Sequence, residues 1–222
     1  MRKLERPAGP ECLHARAPEW TEEYLVGRER NAAHPFGWRS KVCYRQIRQH
    51  LAAMTQNHCA FCDGQIGVES RKTIEHFRPK SRFPELAYAW DNLFPCCDLC
   101  QSSKREQFDL ALLKPDDPDY VFGNHFIVKY QTGEIEPSPH ADEAARHRAE
   151  VSIRLYALNL PERTLARRRE LEHYCRDPDA CLDDYNYRFF LESEVSRFQL
   201  GHERHDRGEQ RILRGFARIR GH

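Results

Sequence analysis

Two Cys-X-X-Cys pairs, with residues 63–96 between them, form a candidate metal site. They are Cys59-Ala-Phe-Cys62 and Cys97-Asp-Leu-Cys100. Four thiolates are the ligand set of a closed tetrahedral zinc site, and a tight turn within each pair can direct both sulfurs at one ion. Cys96 could take the place of Cys97, but only Cys97 has the two-residue spacing to Cys100. We therefore expect a saturated, structural Zn²⁺ with no open coordination position.

The neighbours Glu75 and His76 lie between the two cysteine pairs, in a predicted strand. Adjacent side chains of a strand point to opposite sides, so one can bind a metal ion while the other faces a water molecule. Hydrolysis of a phosphodiester needs a base that activates water and a cation that stabilises the developing charge. An isolated Glu-His pair is more often a salt-bridge partner beside a hydrogen-bonded histidine. The position between the cysteine pairs favours the catalytic interpretation.

In chain order the motifs are Cys-X-X-Cys, Glu-His-Phe-X-Pro, Asn-Leu and Cys-X-X-Cys-X-X-X-Lys. This order resembles that of the zinc-stabilised HNH endonucleases, which have a ββα-metal fold. The resemblance implies that His76 is the general base and that Glu75 binds the catalytic divalent ion. It implies that Asn92 orients the base or contacts the ion. Gln101 stands where the family usually has Asn or His, and its carbonyl oxygen makes it a further candidate ligand, although its side chain is longer.

The ligands implied by this resemblance suit a hard cation, because carboxylate and amide oxygens favour Mg²⁺ or Mn²⁺. In the implied mechanism His76 deprotonates water, the hydroxide attacks in line, and the ion held by Glu75 and Asn92 stabilises the leaving oxygen. Basic side chains supply the salt-sensitive part of nucleic-acid affinity. Taken singly, each is compatible with an ordinary solvated charge, but together they are candidate phosphate contacts: Lys72, Arg78, Lys80, Arg82 and Lys104.

Three longer stretches are Ile74-Glu-His-Phe-Arg-Pro-Lys-Ser81, Tyr88-Ala-Trp-Asp-Asn-Leu93 and Leu155-Tyr-Ala-Leu-Asn-Leu160. With the opening Met-Arg-Lys-Leu-Glu-Arg-Pro, they resemble the PtuB-type endonucleases of Septu and retron-associated anti-phage systems. The resemblance implies a nuclease that acts on nucleic acid together with a PtuA-like ATPase, since the chain itself has no Gly-X-X-X-X-Gly-Lys-Ser/Thr loop. A retron reverse transcriptase and its RNA/DNA product are further implied partners. The residues do not distinguish DNA from RNA as substrate.

The composition is that of a soluble globular protein. The chain has 222 residues, of which 40% are hydrophobic and 31% charged. Its 35 Lys and Arg against 34 Asp and Glu give a formal net charge of +1, so any surface for nucleic acid must be local. No apolar run approaches the roughly 20 residues that span a bilayer, and the first residues lack the apolar segment of a signal peptide. We expect a cytoplasmic protein with no membrane contact.

The five cysteines outside the two pairs are expected to be buried thiols. Disulfides are rare in the cytoplasm, and an unpaired cysteine packs as a small hydrophobe. The five are Cys12, Cys43, Cys96, Cys175 and Cys181.

The pattern of predicted helices and strands indicates an α+β fold that is mostly helical. Its centre is expected to be a ββα-metal (HNH) core clamped by the four-cysteine zinc site, with helical additions on both sides. We divide the chain into an N-terminal arm and helices (1–56), the zinc-clamped HNH core (57–115), and a hairpin and helical C-terminal region (116–222), packed together as one unit.

Local patterns predict the individual elements. Residues 1–18 are rich in Pro, Arg and Gly and predict an extended arm, and a helix is expected from Trp38 to Met54. Thr73–Phe77 is a predicted strand, and Asp91 and Asn92 are the predicted cap of a helix that carries the second cysteine pair. Residues 125–137 predict a hairpin, and the chain from Ala141 onward predicts helices.

Two other functions are compatible with parts of this pattern. A zinc-stabilised module that binds nucleic acid or acts as a scaffold, without cleavage, is disfavoured by the presence of both His76 and Asn92, although Gln101 leaves it open. A zinc-dependent hydrolase or a redox protein is disfavoured because four thiolates leave zinc no open position. The leading hypothesis is a metal-dependent nuclease of a prokaryotic defence system.

Overall fold

Two helices begin the fold, α1 (Glu11–Arg30) and α2 (Lys41–Thr55). The structure, a computed structural model, describes residues 1–67, 70–177 and 180–192. The extended arm predicted for residues 1–18 is wrong beyond Pro10, where α1 begins. The proline-rich composition suggested an arm, but Leu13, Trp20 and Tyr24 share one buried face of α1, and that burial stabilises the helix.

Helix α2 confirms the helix predicted between Trp38 and Met54. Its start is shifted to Lys41 because the Ser40 hydroxyl accepts a hydrogen bond from the backbone N–H of Cys43 at 3.2 Å, as a helix cap does. The helix ends where Gln56 adopts a left-handed conformation, which leads the chain directly to the first cysteine pair.

A disulfide joins Cys12 of α1 to Cys43 of α2. The prediction that both cysteines are free thiols is therefore wrong. It rested on the expected compartment, and the spacing of the cysteines in the sequence does not reveal a pairing between two helices. Cys175 and Cys181 are exposed, contrary to the same prediction, whereas Cys96 is a buried thiol as expected. The disulfide closes the segment between α1 and α2 into a covalent loop.

A short hairpin and a helix lie at the centre of the described chain. Strand β1 (Thr73–His76) pairs antiparallel with β2 (Leu93–Cys96), so that His76 lies opposite Leu93. Helix α3 (Asp98–Lys104) follows at once and contacts β1. The predicted strand is confirmed, with its end at His76.

The predicted helix cap at Asp91 and Asn92 is wrong, because the next four residues form β2. The run Leu93–Cys96 is apolar and buried throughout, and Pro95 has no N–H to give to a helix. Helix α3 starts later, where the Cys97 sulfur accepts a hydrogen bond from the Cys100 backbone N–H at 3.4 Å.

The remainder is a second hairpin followed by helices. After the single-turn helix α4 (Phe122–His125), strands β3 (Phe126–Lys129) and β4 (Glu134–Pro137) form the predicted hairpin. Helices α5 (Glu143–Leu155) and α6 (Pro161–Tyr174) confirm the helical pattern after Ala141. The part of that prediction beyond residue 192 lies outside the described residues.

Buried side chains from all three predicted regions, among them Ile47, Phe94 and Tyr156, belong to one hydrophobic cluster. The described chain combines helices with two short antiparallel sheets, so it is a mixed α and β structure. Its division at residues 56 and 115 stays a prediction. Among the helices that the structure describes, none has the length and apolar character to cross a membrane.

Candidate functional site

The four cysteines of the two Cys-X-X-Cys pairs form one buried cluster. Their sulfurs all lie within 4.8 Å of one another, and those of Cys62 and Cys97 are 3.6 Å apart. Zn–S bonds of about 2.3 Å in a tetrahedron place the sulfurs roughly 3.8 Å apart, so the donor set fits one zinc ion. Cys96 is not part of the cluster, which supports Cys97 as the ligand. The predicted four-cysteine metal site is therefore present as a cluster that could hold a metal ion such as zinc.

Arg163, at the start of α6, contacts this cluster. Its guanidinium donates to the sulfur of Cys100 at 3.2 Å and to that of Cys97 at 3.8 Å, and only 3% of the residue is exposed. Burial lowers the pKa of Arg163, but the interactions with nearby Cys100 and Cys62 outweigh that effect and raise it, so the guanidinium stays charged. When a metal ion is bound, this positive charge would offset part of the negative charge of the four ligating thiolates. Arg163 was not among the predicted site residues, since nothing in its local sequence indicates a contact with cysteines about 60 residues away.

His76, the last residue of β1, is held in one orientation by a backbone carbonyl. Its Nε2 lies 2.9 Å from the Ala87 carbonyl oxygen. A carbonyl can only accept, so Nε2 carries the proton and Nδ1 of the neutral ring has a lone pair for a proton from water. Burial, followed by the charge of Lys80, lowers the pKa of His76 to about 4. The imidazole is therefore neutral near pH 7, as a general base must be.

Glu75 is buried, and its charge is matched by Lys104. The Lys104 ammonium donates to Glu75 Oε1 at 2.6 Å and to the backbone oxygen of His76 at 3.1 Å. Burial raises the pKa of Glu75, and Lys104 opposes that shift. Lys104 is 0% exposed, so its predicted contact with a phosphate is wrong. The family resemblance suggested the phosphate contact, but the helix turns this residue inward, where it hydrogen-bonds to two residues of β1.

Gln101 lies one turn before Lys104 on the same helix. Its amide Nε2 donates to the Ile74 backbone oxygen at 3.2 Å, which leaves its Oε1 as an acceptor. Glu75, His76 and Gln101 all line one cavity of about 330 Å³, which we call the catalytic cavity. These three predicted site residues are thus brought together by β1 and α3.

Asn92 takes a different position from the other predicted site residues. Its Oδ1 accepts from the Arg78 N–H at 2.8 Å, and its Nδ2 donates to the backbone oxygens of Arg78 and Leu86 at 3.0 and 3.1 Å. Asn92 is not among the residues described as lining the catalytic cavity. Of the two roles that the resemblance allows, this geometry favours orientation of the base, because Leu86 directly precedes the Ala87 carbonyl that holds His76.

The predicted basic contacts are spread over several places. Lys80 lines the catalytic cavity, and Lys72 lines a neighbouring one and donates to Asn57 at 2.8 Å. Arg78 and Arg82 are exposed, and both guanidinium groups lie 5.7 Å from the centre of the Phe83 ring. Of the four that flank β1, only Lys80 therefore reaches the catalytic cavity.

Two aromatic side chains that the sequence analysis missed cover His76. Phe36 meets the imidazole edge-on with ring centres 5.2 Å apart, and Trp38 lies nearly parallel to it at 6.2 Å. Both belong to the segment between α1 and α2, closed by the Cys12–Cys43 disulfide. Their distance in sequence from His76 hides this contact from any local pattern.

Sequence similarity relates the chain to three known proteins, while no family model matches it. It is 30% identical over 105 residues to the Septu protein PtuB of Bacillus thuringiensis, a match that covers 47% of this chain and 37% of that protein. It is 28% identical over 152 residues to the Septu protein PtuB of Bacillus mycoides, which covers 53% and 48%. It is 23% identical over 151 residues to the "Retron Vc95 putative HNH endonuclease" of Vibrio cholerae, which covers 64% and 69%.

The chain spans less than half the length of either Septu protein that it matches. The names of these relatives are those of the branch that the motif order indicates. The predicted resemblance to the PtuB-like branch of HNH proteins is confirmed by this similarity.

Proposed function

We propose that this chain is a metal-dependent HNH endonuclease that hydrolyses phosphodiester bonds of nucleic acid. The order β1, β2, α3 supports a ββα-metal core, and the relatives include a protein named as an HNH endonuclease. The observation that carries the proposal is the hydrogen bond from His76 Nε2 to the Ala87 carbonyl. It makes Nδ1 the basic nitrogen beside a cavity that also contains a carboxylate.

His76 is the general base of the proposed reaction. Its neutral imidazole takes a proton from the attacking water at Nδ1, while Nε2–H stays on the Ala87 carbonyl. Asn92 is a positioning residue, because its amide fixes the loop that carries this carbonyl. Phe36 and Trp38 exclude water from two sides of the ring, which keeps the base in the geometry that the backbone imposes.

Glu75 and Gln101 would hold a catalytic Mg²⁺ or Mn²⁺. The available donors are the second carboxylate oxygen of Glu75 and Oε1 of Gln101, which suit a hard cation whose remaining ligands are water and phosphate. When bound, such an ion supplies stabilisation of the negative charge on the leaving oxygen. Lys104 opposes the rise in the pKa of the buried Glu75 carboxyl group and fixes its orientation. Lys80 lines the same cavity and is placed to contact the substrate phosphate.

The relatives support a role in anti-phage defence. The names of the two Septu proteins and of the retron-associated protein support the proposal that this chain is the nuclease of such a system. Because the chain has no nucleotide-binding loop of its own, a PtuA-like ATPase is the proposed partner. A retron reverse transcriptase with its RNA/DNA product is a second one. Zn²⁺ in the four-cysteine cluster is proposed as the structural ion.

His76→Ala tests the proposed function. Loss of a general base lowers a rate by about 10²- to 10⁴-fold, so the variant should lose cleavage of DNA and RNA in Mg²⁺ or Mn²⁺. The measurement is a cleavage assay with single-stranded and duplex substrates, in the presence and absence of the proposed PtuA-like ATPase. The matched control is His147→Ala, because His147 is exposed on α5.

Zinc content and circular dichroism separate loss of catalysis from loss of fold. A His76→Ala protein that keeps its zinc and its helical signal, and still cleaves as fast as the wild type, would contradict the proposal. Nucleic-acid binding by the wild type and its partner ATPase, without cleavage in either metal, would instead favour a zinc-stabilised binding module.

A further inference from the structure

A second cavity, of about 830 Å³, adjoins the catalytic cavity. Trp38 and Ile74 line both, so the two spaces meet at these residues. Arg48, Arg71 and Lys72 also line the second cavity, and none of its described lining residues is acidic. We call it the lateral groove. Its positive charge is complementary to a polyanion that extends from the catalytic cavity.

A row of flat side chains runs along the lateral groove. It starts at His76, continues with Trp38 nearly parallel at 6.2 Å, and goes on to Tyr44 at 5.2 Å with an angle of 31° between the rings. The guanidinium of Arg48 lies 5.7 Å from the centre of the Tyr44 ring. Both Trp38 and Tyr44 are partly exposed, unlike the buried Tyr88 behind them. Parts of both rings therefore remain accessible from the groove, beside the contacts that the two rings make with their neighbours.

We propose that the lateral groove binds the nucleotides next to the cleaved phosphate as a single strand, with bases stacked on Trp38 and Tyr44. This proposal rests on the proposed nuclease function. Alternation of aromatic and basic side chains is how proteins hold single strands, because every base has a flat face and every nucleotide a phosphate. Bases inside a duplex are paired and stacked on one another, so they cannot meet these rings.

The charges of the groove agree with this arrangement. Arg48 and Arg71 are exposed and Lys72 is partly exposed, so phosphates on the outer side of the strand can reach all three. The shared chemistry of DNA and RNA, a base face and a phosphate, is what the groove recognises. The substrate class is therefore a single-stranded polynucleotide or the unpaired loop of a folded one.

Binding is measured with the wild-type catalytic side chains as the background, in buffer without Mg²⁺ or Mn²⁺, so that cleavage does not consume the probe and His76 stays against Trp38. Fluorescence anisotropy with labelled single-stranded DNA, single-stranded RNA and blunt duplex DNA gives the three affinities. Tyr44→Ala and Trp38→Ala in this background should each weaken single-strand binding roughly tenfold, the effect of losing one stacked base, and leave duplex binding unchanged. A preference between the DNA and RNA strands identifies the sugar that the groove accepts.

Salt dependence tests the basic side chains separately. Each phosphate contact to a single strand contributes about 0.7 to the slope of log affinity against log salt. Arg48→Gln and Arg71→Gln should each lower that slope by about this amount. Arg169→Gln is the matched control, since Arg169 is exposed on α6 and lines neither cavity.

Trp38→Phe is the control for misfolding of Trp38→Ala, because it keeps a ring against His76 while offering a smaller stacking face. Equal affinity of wild-type and Tyr44→Ala proteins for single strands, with zinc content and fold unchanged, would overturn the proposal. If these two proteins with equal affinity both cleave nucleic acid, the proposed nuclease function is still supported. If single strands bind tightly through Trp38 and Tyr44 but are never cleaved, the proposed nuclease function is contradicted, whereas single-strand binding in the lateral groove is supported.

Discussion

At the scale of single residues, the buried pair of Glu75 and Lys104 is the most consequential contact of the site. Each partner is nearly inaccessible to solvent, with exposed side-chain fractions of 6% and 0%. A charge in such a place is stable only when its partner is present. The pair therefore couples the proposed metal ligand to the stability of α3 against β1.

Lys104→Met should destabilise the fold because it leaves the Glu75 carboxylate without a partner. The expected loss in the free energy of unfolding is about 3–5 kcal/mol, measured by urea denaturation in buffer without divalent ions. Glu75→Gln should be destabilising as well. The double variant should lose less than the sum of the two, since it removes both charges. Strictly additive losses would show that the two groups do not interact.

At the scale of elements, α6 contacts the four-cysteine cluster, half of which belongs to α3 and its cap residue Cys97. Arg163 is the contact, and its neighbour Arg167, also buried, donates to backbone oxygens of Gly133 and Leu158. Gly133, in the turn of the second hairpin, has a positive φ of 78°, and a Cβ there would lie 2.2 Å from the Thr164 backbone oxygen. The turn therefore packs closely against α6 at Thr164, the residue that follows Arg163.

Arg163→Met should weaken the hold on zinc while leaving the four ligands in place. Loss of a side chain that supports metal ligands typically lowers metal affinity about 10- to 100-fold. Competition against a chromophoric chelator measures this affinity. Arg169→Met, on the exposed side of the same helix, should release zinc at the wild-type level. Equal chelator resistance of the two variants would mean that Arg163 contributes only packing.

Some elements and site residues could be predicted from the sequence, and others could not. The cysteine pairs, the Glu75-His76 strand and the second hairpin were predictable because their signals are short and local. Strand β2 was mistaken for part of a helix because burial on both faces, not periodicity, decides its conformation. Lys104, Arg163 and Trp38 could not be placed, since their roles depend on contacts between elements far apart in the sequence.

At the scale of the whole molecule, the metal cluster lies inside the hydrophobic core. The four cysteines are buried members of the same cluster as Leu13 of α1 and Leu155 of α5. A metal site built into a shared core links its occupancy to the stability of everything around it. The frame of the catalytic cavity and the rest of the described chain are thus expected to fold together.

Removing zinc with a strong chelator should unfold the described chain as one unit. Structural zinc contributes about 10–16 kcal/mol of apparent binding free energy, which is as large as the usual stability of about 5–15 kcal/mol for a small protein. Hydrogen exchange measured before and after chelation should show loss of protection in α1, α2 and α5 as well as in α3. Retained protection of α1 and α2 in the zinc-free protein would show that residues 1–56 form an independent domain.

The disulfide between Cys12 and Cys43 is preserved under oxidising conditions, whereas the four-cysteine cluster requires reduced sulfurs. A reducing agent in a buffer protects the four cluster cysteines from oxidation but opens the disulfide. An oxidising buffer keeps the disulfide but exposes any zinc-free thiolates to oxidation. The loop that the disulfide closes carries Phe36 and Trp38, so its opening removes a covalent restraint from the side chains that cover His76. Rates obtained from different preparations are therefore comparable only when the thiol and disulfide content of each has been measured.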